Sequence, residues 1–185
     1  MNKNHTKLQR IVLISILTGI LFVQEQILTP LPNIQLTIFL IVVYSVVFTL
    51  TESILMITVH VLLDNILLGS LNLVTFPFML IGYLIIPITL KTIFRKIRSP
   101  RALALLGILY AFIYSWIFII PNIWLLKIPF SVYLIQDIPF EILLAASSFL
   151  TILWLYEPFK KVIDMYIPQT NKKAQKEPID NEEEI

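Results

Sequence analysis

The residues able to do chemistry in this chain are few: carboxylates, amides, phenols and two histidines. Asp137 and Glu141 stand four positions apart, as do His60 and Asp64, so on a helix each pair shares one face. Glu25 sits between Gln24 and Gln26, and Asn65 follows Asp64. Carboxylates grouped in this way hold a cation, orient the polar edge of a ligand or pass a proton. A histidine beside a carboxylate is also a general base. No positioned serine, cysteine or oxyanion-type glycine loop accompanies this one, so catalysis has little support and the chain reads as no enzyme. His60 is then a ligand, a proton relay or a buried imidazole held by Asp64, with the structural role favoured.

Missing residue types narrow the chemistry further. Without cysteine there are no disulfides, thiolate metal sites or thiol nucleophiles. The only glycines are Gly19, Gly69, Gly82 and Gly107, so neither a phosphate loop ending Gly-Lys-Ser/Thr nor a glycine-rich dinucleotide turn exists. No cofactor is called for, and the chain does not hydrolyse ATP through a P-loop. Uphill transport would draw on partner subunits or an ion gradient.

The elements that must position these residues follow from the solvent. The chain is 57% hydrophobic and 14% charged, with a mean hydropathy of +0.84, too apolar for a domain surfaced by water. Six apolar runs stand out: Ile11 to Leu28, Ile34 to Leu50, Ser53 to Leu68, Pro77 to Phe94, Ala102 to Ile120 and Pro139 to Tyr156. Each is about the length that crosses a bilayer, roughly 17 to 25 residues. Being continuous and not alternating, they predict helices and not a barrel. Turn residues divide them at Thr29-Pro30-Leu31-Pro32-Asn33, Gly69-Ser70-Leu71-Asn72, Ser99-Pro100 and Pro121-Asn122. Only Thr49, Thr51 and Glu52 separate the second run from the third, which makes that junction weak or a very tight turn.

The expected fold class is therefore an all-α integral membrane protein, a six-transmembrane-helix bundle. Thirteen of the fourteen lysines and arginines fall at the amino terminus, between the fourth and fifth runs, or at the carboxyl end, leaving only Lys127 opposite. By the positive-inside rule both termini are cytoplasmic. The formal charge of +2 sets orientation and gives no reason to expect nucleic acid. Residues 1–10 form a cytoplasmic segment, 11–167 the membrane domain and 168–185 a disordered tail ending in acids. The basic start before Ile11 resembles a secretory signal, but no A-x-A-like site follows it, and it is read as a retained first helix.

This topology gives each polar residue a depth. Glu25, Asp64, Asn65, Tyr83, Tyr114, Ser115, Trp116, Asp137 and Glu141 all fall toward the outer side, with Asn33, Asn72 and Asn122 in the outer connectors. The inner half carries no acid between the helix ends. A charge at the bilayer centre costs about 2.5 to 3.5 kcal/mol even on the lenient scale, so these acids face protein or water. A polar pocket open to the outside explains them jointly, against the blander alternative of solvated helix ends at the interface. On the inner half of the first run, Ser15 and Gly19 form a small-xxx-small pattern suited to close helix approach, within the fold or to a partner.

Together these features resemble the substrate-binding S components of energy-coupling factor (ECF) transporters. The resemblance is carried by size and six-helix layout, by Leu31-Pro32-Asn33-Ile34 leading into the second helix, by the basic fourth-to-fifth connector, and by Ile138-Pro139-Phe140-Glu141 opening the last helix. It spans roughly Leu8 to Ile167. It implies capture of a vitamin or related micronutrient from outside, without covalent chemistry, at the plasma membrane of a bacterium. The partners it implies are a transmembrane coupling subunit and two ATPase subunits. Carried onto this chain, it implies substrate contacts at Tyr83, Tyr114, Asn122, Asp137 and Glu141, with loop contacts at Asn33 and Asn72. Family members often carry Ala-xxx-Ala in the first helix for docking; Ser15 and Gly19 occupy that spacing here. Acids with no buried base hint at a cationic or amine-bearing ligand, a proton or Lys127 being the other possible countercharges. The competing reading is a membrane scaffold resembling the rod-shape protein MreD, which needs no polar pocket.

Overall fold

The structure is a computed structural model that describes residues 3–31, 34–67 and 74–167. It is all-helical, with no strand among the described residues. The helices are α1 (Lys3–Leu28), α2 (Thr37–Val47), α3 (Leu50–Leu67), α4 (Thr75–Lys91), α5 (Pro100–Ile117), α6 (Ile119–Leu126) and α7 (Phe130–Tyr166). Among the described residues, four helical stretches are long and apolar enough to cross a membrane: His5–Leu28, Leu50–Leu67, Pro100–Leu125 and Phe130–Tyr166. Large apolar side chains cover the outside, among them Ile27, Leu105, Trp124, Ile135, Trp154 and Met165. Water would penalise such a surface and lipid does not. This is a helical membrane protein.

Each of the six apolar runs contains a helix, and the boundaries differ for physical reasons. Helix α2 has 11 residues, about 16 Å of rise against a hydrocarbon core of about 30 Å. It is the hub of the bundle: ten of its residues are buried, and it packs against α1, α3, α4, α5 and α7. Enclosed by protein, it need not match the bilayer thickness itself.

The fifth run does not stop at the Pro121-Asn122 turn expected from sequence. Pro121 falls in the first turn of α6, where a missing N–H costs nothing, and the chain turns instead at Lys127, a left-handed C-cap with φ 52°. The last helix likewise does not begin at Pro139 but runs for 37 residues from Phe130, with Pro139 and Pro158 inside it. Proline in a membrane helix is tolerated where neighbouring helices re-satisfy the freed carbonyl.

The junction between α2 and α3 is a tight turn with its own chemistry. Thr49 and Glu52 form a capping box: Glu52 Oε2 accepts from the Thr49 backbone N–H at 2.9 Å, and Thr49 Oγ1 accepts from the Glu52 N–H at 3.4 Å. Arg10 of α1 reaches the same carboxylate in a two-pronged ion pair, Nη2 donating to Oε2 at 2.7 Å, while its guanidinium lies 5.7 Å from the centre of the Phe48 ring. One basic residue thereby ties α1 to the α2–α3 turn. Deeper in, the Tyr44 hydroxyl donates to the Leu17 carbonyl at 2.9 Å in a buried setting. Tyr44→Phe is expected to cost about 1 kcal/mol, read as a lower unfolding midpoint in a purified sample.

The most extensive pairing is α5 with α7. Gly107 makes it possible, because a Cβ there would stand 2.5 Å from Ile152 Cδ1 and 3.5 Å from the Ser148 carbonyl oxygen. Ala104 and Ala111, both buried, extend this small-residue face toward α7.

Candidate functional site

Polar side chains gather in two clusters joined by a pair of tyrosines. The first lies where α1, α2, α3 and α4 meet. Gln24 opens α1's polar triplet and binds the start of α2: its amide donates to Thr37 Oγ1 at 2.8 Å, and its carbonyl accepts from the Leu36 N–H at 3.0 Å. Thr37 Oγ1 in turn donates to Glu25 Oε2 at 3.1 Å. Gln26 crosses to α3 and donates to Asp64 Oδ1 at 2.7 Å. His60 Nε2 lies 3.0 Å from Glu25 Oε2, but neither ring nitrogen of His60 completes a hydrogen bond. The expectation that Asp64 holds His60 is thus corrected: the carboxylate beside the imidazole belongs to Glu25, because α1 packs its last turns against that face of α3. His60 and Asp64 are both buried.

Tyr83 carries the cluster onward. Its ring centre is 6.0 Å from that of His60 and 4.3 Å from that of Tyr114, with the two phenols stacked at 19°. Gly82 permits this stack, since a Cβ there would stand 2.8 Å from Tyr114 Cδ2. Gly82→Ala is therefore expected to push Tyr114 off Tyr83 and lose about 0.5 to 1.5 kcal/mol of ring pairing. Thermal unfolding of the variant beside the parent checks this, and an unchanged midpoint would show that Tyr114 swings aside without cost.

The second cluster lies between α5, α6 and α7. A cavity of 200 Å³ is lined by Tyr114, Ser115, Phe118, Asn122, Tyr133, Asp137, Phe140 and Leu144. Ser115 Oγ donates to Asp137 Oδ2 at 2.6 Å, and the Asn122 amide donates to the Tyr133 hydroxyl at 3.2 Å. One helical turn beyond Asp137, Glu141 is buried, with only 4% of its surface exposed, and its Oε1 has no hydrogen-bond partner. Lys127 is exposed and forms no ion pair with any described carboxylate. It supplies no countercharge to Asp137 or Glu141.

Five of the residues singled out from sequence are thus close together. Tyr114, Asn122 and Asp137 line one cavity, Tyr83 stacks on Tyr114, and Glu141 follows Asp137 on its helix face. Asn33 and Asn72 lie outside the described residues. Neither a matching family model nor a matching curated protein or solved structure was found for this chain. The site is therefore read from its own geometry.

Sequence reasoning missed Tyr133, although it stands four residues before Asp137 and continues the Asp137, Glu141 face. Placing the helix start at Pro139 hid that spacing. It also missed Gln24, Thr37 and Gln35 as connectors. Gln35 ties the two halves, its side-chain oxygen lying 3.1 Å from Thr37 Oγ1 and sharing that one hydroxyl proton with Glu25, and its carbonyl accepting from Ser147 Oγ at 3.1 Å.

Among the described residues, Ser15 is exposed and Gly19 makes no close helix contact. Ser15 Oγ bonds back to the Ile11 carbonyl of its own helix, and a Cβ on Gly19 would meet no atom within 4 Å. An internal packing role for that face is set aside. Close helix approach occurs at Gly82 and Gly107 instead.

Proposed function

We propose that this chain is a substrate-binding S component of an ECF-type transporter, taking up a vitamin or related micronutrient at a bacterial plasma membrane. In this reading six helices cross the bilayer and both termini are cytoplasmic. The supporting observation is the polar core drawn from five helices: His60, Asp64, Tyr83 and Glu141 are buried, with Glu25, Tyr114 and Asp137 half-buried beside them. Partly unpartnered carboxylates and phenols in a membrane interior are costly to maintain and are a usual mark of a substrate path.

The basic end of the bundle fits the same orientation. Arg10 meets the Glu52 turn, and Arg98, Tyr156, Glu157 and Lys160 line a second cavity. The acids of the polar core belong to the opposite helix ends. The open face of α1 around Ser15 and Gly19 is available to a coupling subunit, and two ATPase subunits would supply the energy that the chain lacks a P-loop to harvest. The chain itself would perform no covalent chemistry.

Affinity purification from membranes tests the proposal. The expected result is copurification of a transmembrane coupling subunit with ATPases, together with a small molecule identifiable by mass spectrometry. Recovery of cell-shape proteins in their place, with no small molecule, would replace it by the scaffold reading.

A further inference from the structure

The cluster of Glu25, His60 and Asp64 has acceptors in excess of donors. Glu25 receives the Thr37 hydroxyl and Asp64 receives the Gln26 amide. No lysine or arginine pairs with either carboxylate among the described residues. Two further groups point to a ligand independently of the acids. His60 has no exposed surface and Tyr83 only 1%, yet the Tyr83 hydroxyl has no hydrogen-bond partner and neither imidazole nitrogen completes a hydrogen bond, although Nε2 lies 3.0 Å from Glu25 Oε2. Buried polar atoms are rarely left in that state, and carboxylates without a cation are costly in a membrane interior.

We propose that Glu25, His60 and Asp64 form a binding site for an ammonium-type cation, either free ammonium or the protonated amine of an organic substrate. The donor and acceptor inventory matches. An ammonium group offers three or four N–H donors, and the cluster presents two carboxylates beside the His60 ring, with the Tyr83 oxygen nearby. Charge matches as well, since among the described residues no lysine or arginine pairs with either acid and only His60 stands beside Glu25. A metal ion fits less well: no group of three His, Asp or Glu side chains among the described residues is placed to hold one, whereas an ammonium group meets its acceptors at hydrogen-bond distances of about 2.8 to 3.0 Å, longer than metal–ligand bonds. Near the end of α1, Glu25 keeps 19% of its side chain exposed. This site is distinct from the Asp137 cavity between α5, α6 and α7. Its organic form rests on the substrate-binding reading above, whereas the cation site itself rests on the cluster alone.

The test uses the full chain in lipid nanodiscs, with the unfolding midpoint measured in chloride salts of ammonium, methylammonium, tetramethylammonium and sodium at equal ionic strength. Ammonium or methylammonium is expected to raise the midpoint by about 2 to 4 °C above the other two, as saturable binding to the folded state does. A larger effect of methylammonium assigns the site to a substrate amine, and a larger effect of ammonium assigns it to the free ion. The gain should vanish in Glu25→Gln and Asp64→Asn and persist in Asp137→Asn. If either isosteric variant fails to fold, His60→Gln carries the same comparison. Equal midpoints in all four salts, or a gain that survives Glu25→Gln, would overturn the site. Copurification of the coupling subunit is unaffected by either result, so failure of the cation site and failure of the transporter reading are told apart.

Discussion

Gly107→Leu is expected to push α5 away from α7 and to destabilise the protein by about 3 kcal/mol, the upper part of the range for overpacked cores. Even a single added carbon would stand 2.5 Å from Ile152 Cδ1, with the Ser148 backbone behind it. Ile152 has no exposed surface, so its side chain cannot simply swing out of the bundle. Gly19→Leu is the matched control, since a Cβ there meets nothing within 4 Å. The measurement is the fraction of each variant that stays monodisperse after heating in detergent. The Gly107 variant should be lost at temperatures where the Gly19 variant and the parent survive. Equal survival would mean that the α5–α7 contact is not what holds this bundle together. In the transporter reading Gly19→Leu has its own effect, reduced recovery of the coupling subunit, because it fills a face that is open in the isolated chain.

The second large effect concerns the cavity between α5, α6 and α7. Glu141→Ala is expected to weaken binding of the copurified small molecule by about 30-fold or more, the scale of a lost hydrogen bond to a charged group. Asp137→Ala should follow the same direction, whereas Ser148→Ala should change affinity little. The reason is position. Asp137 lines the cavity beside Tyr114 and Asn122, and Glu141 presents an unpartnered oxygen one turn further along the face. Calorimetric titration of the three variants checks the ranking, and indistinguishable affinities would move the substrate to another part of the polar core.

Some of this organisation was legible in the linear chain. Apolar runs bounded by turn residues mark helices because lipid leaves the backbone no other way to satisfy its hydrogen bonds locally. The i, i+4 pairs Asp137 with Glu141 and His60 with Asp64 do share buried helix faces. The Thr49-x-x-Glu52 capping box was also readable, although the same residues first looked like a weak interruption. Proline misled at both Pro121 and Pro139. It marks boundaries reliably in water, but in this bundle it sits inside helical turns that neighbouring helices support.

What the chain determines by itself is local: solvent class, helix type, and which residues share a helix face, since these depend on neighbours within a few positions. Tertiary structure alone decided that Glu25 and not Asp64 stands against His60, that Tyr83 stacks on Tyr114, that α2 is the enclosed hub, and that Gly107 and not Gly19 marks the close helix contact. Each of these is a meeting of residues far apart in the chain. Such meetings depend on how whole helices pack, and no periodicity along a single helix records its partner.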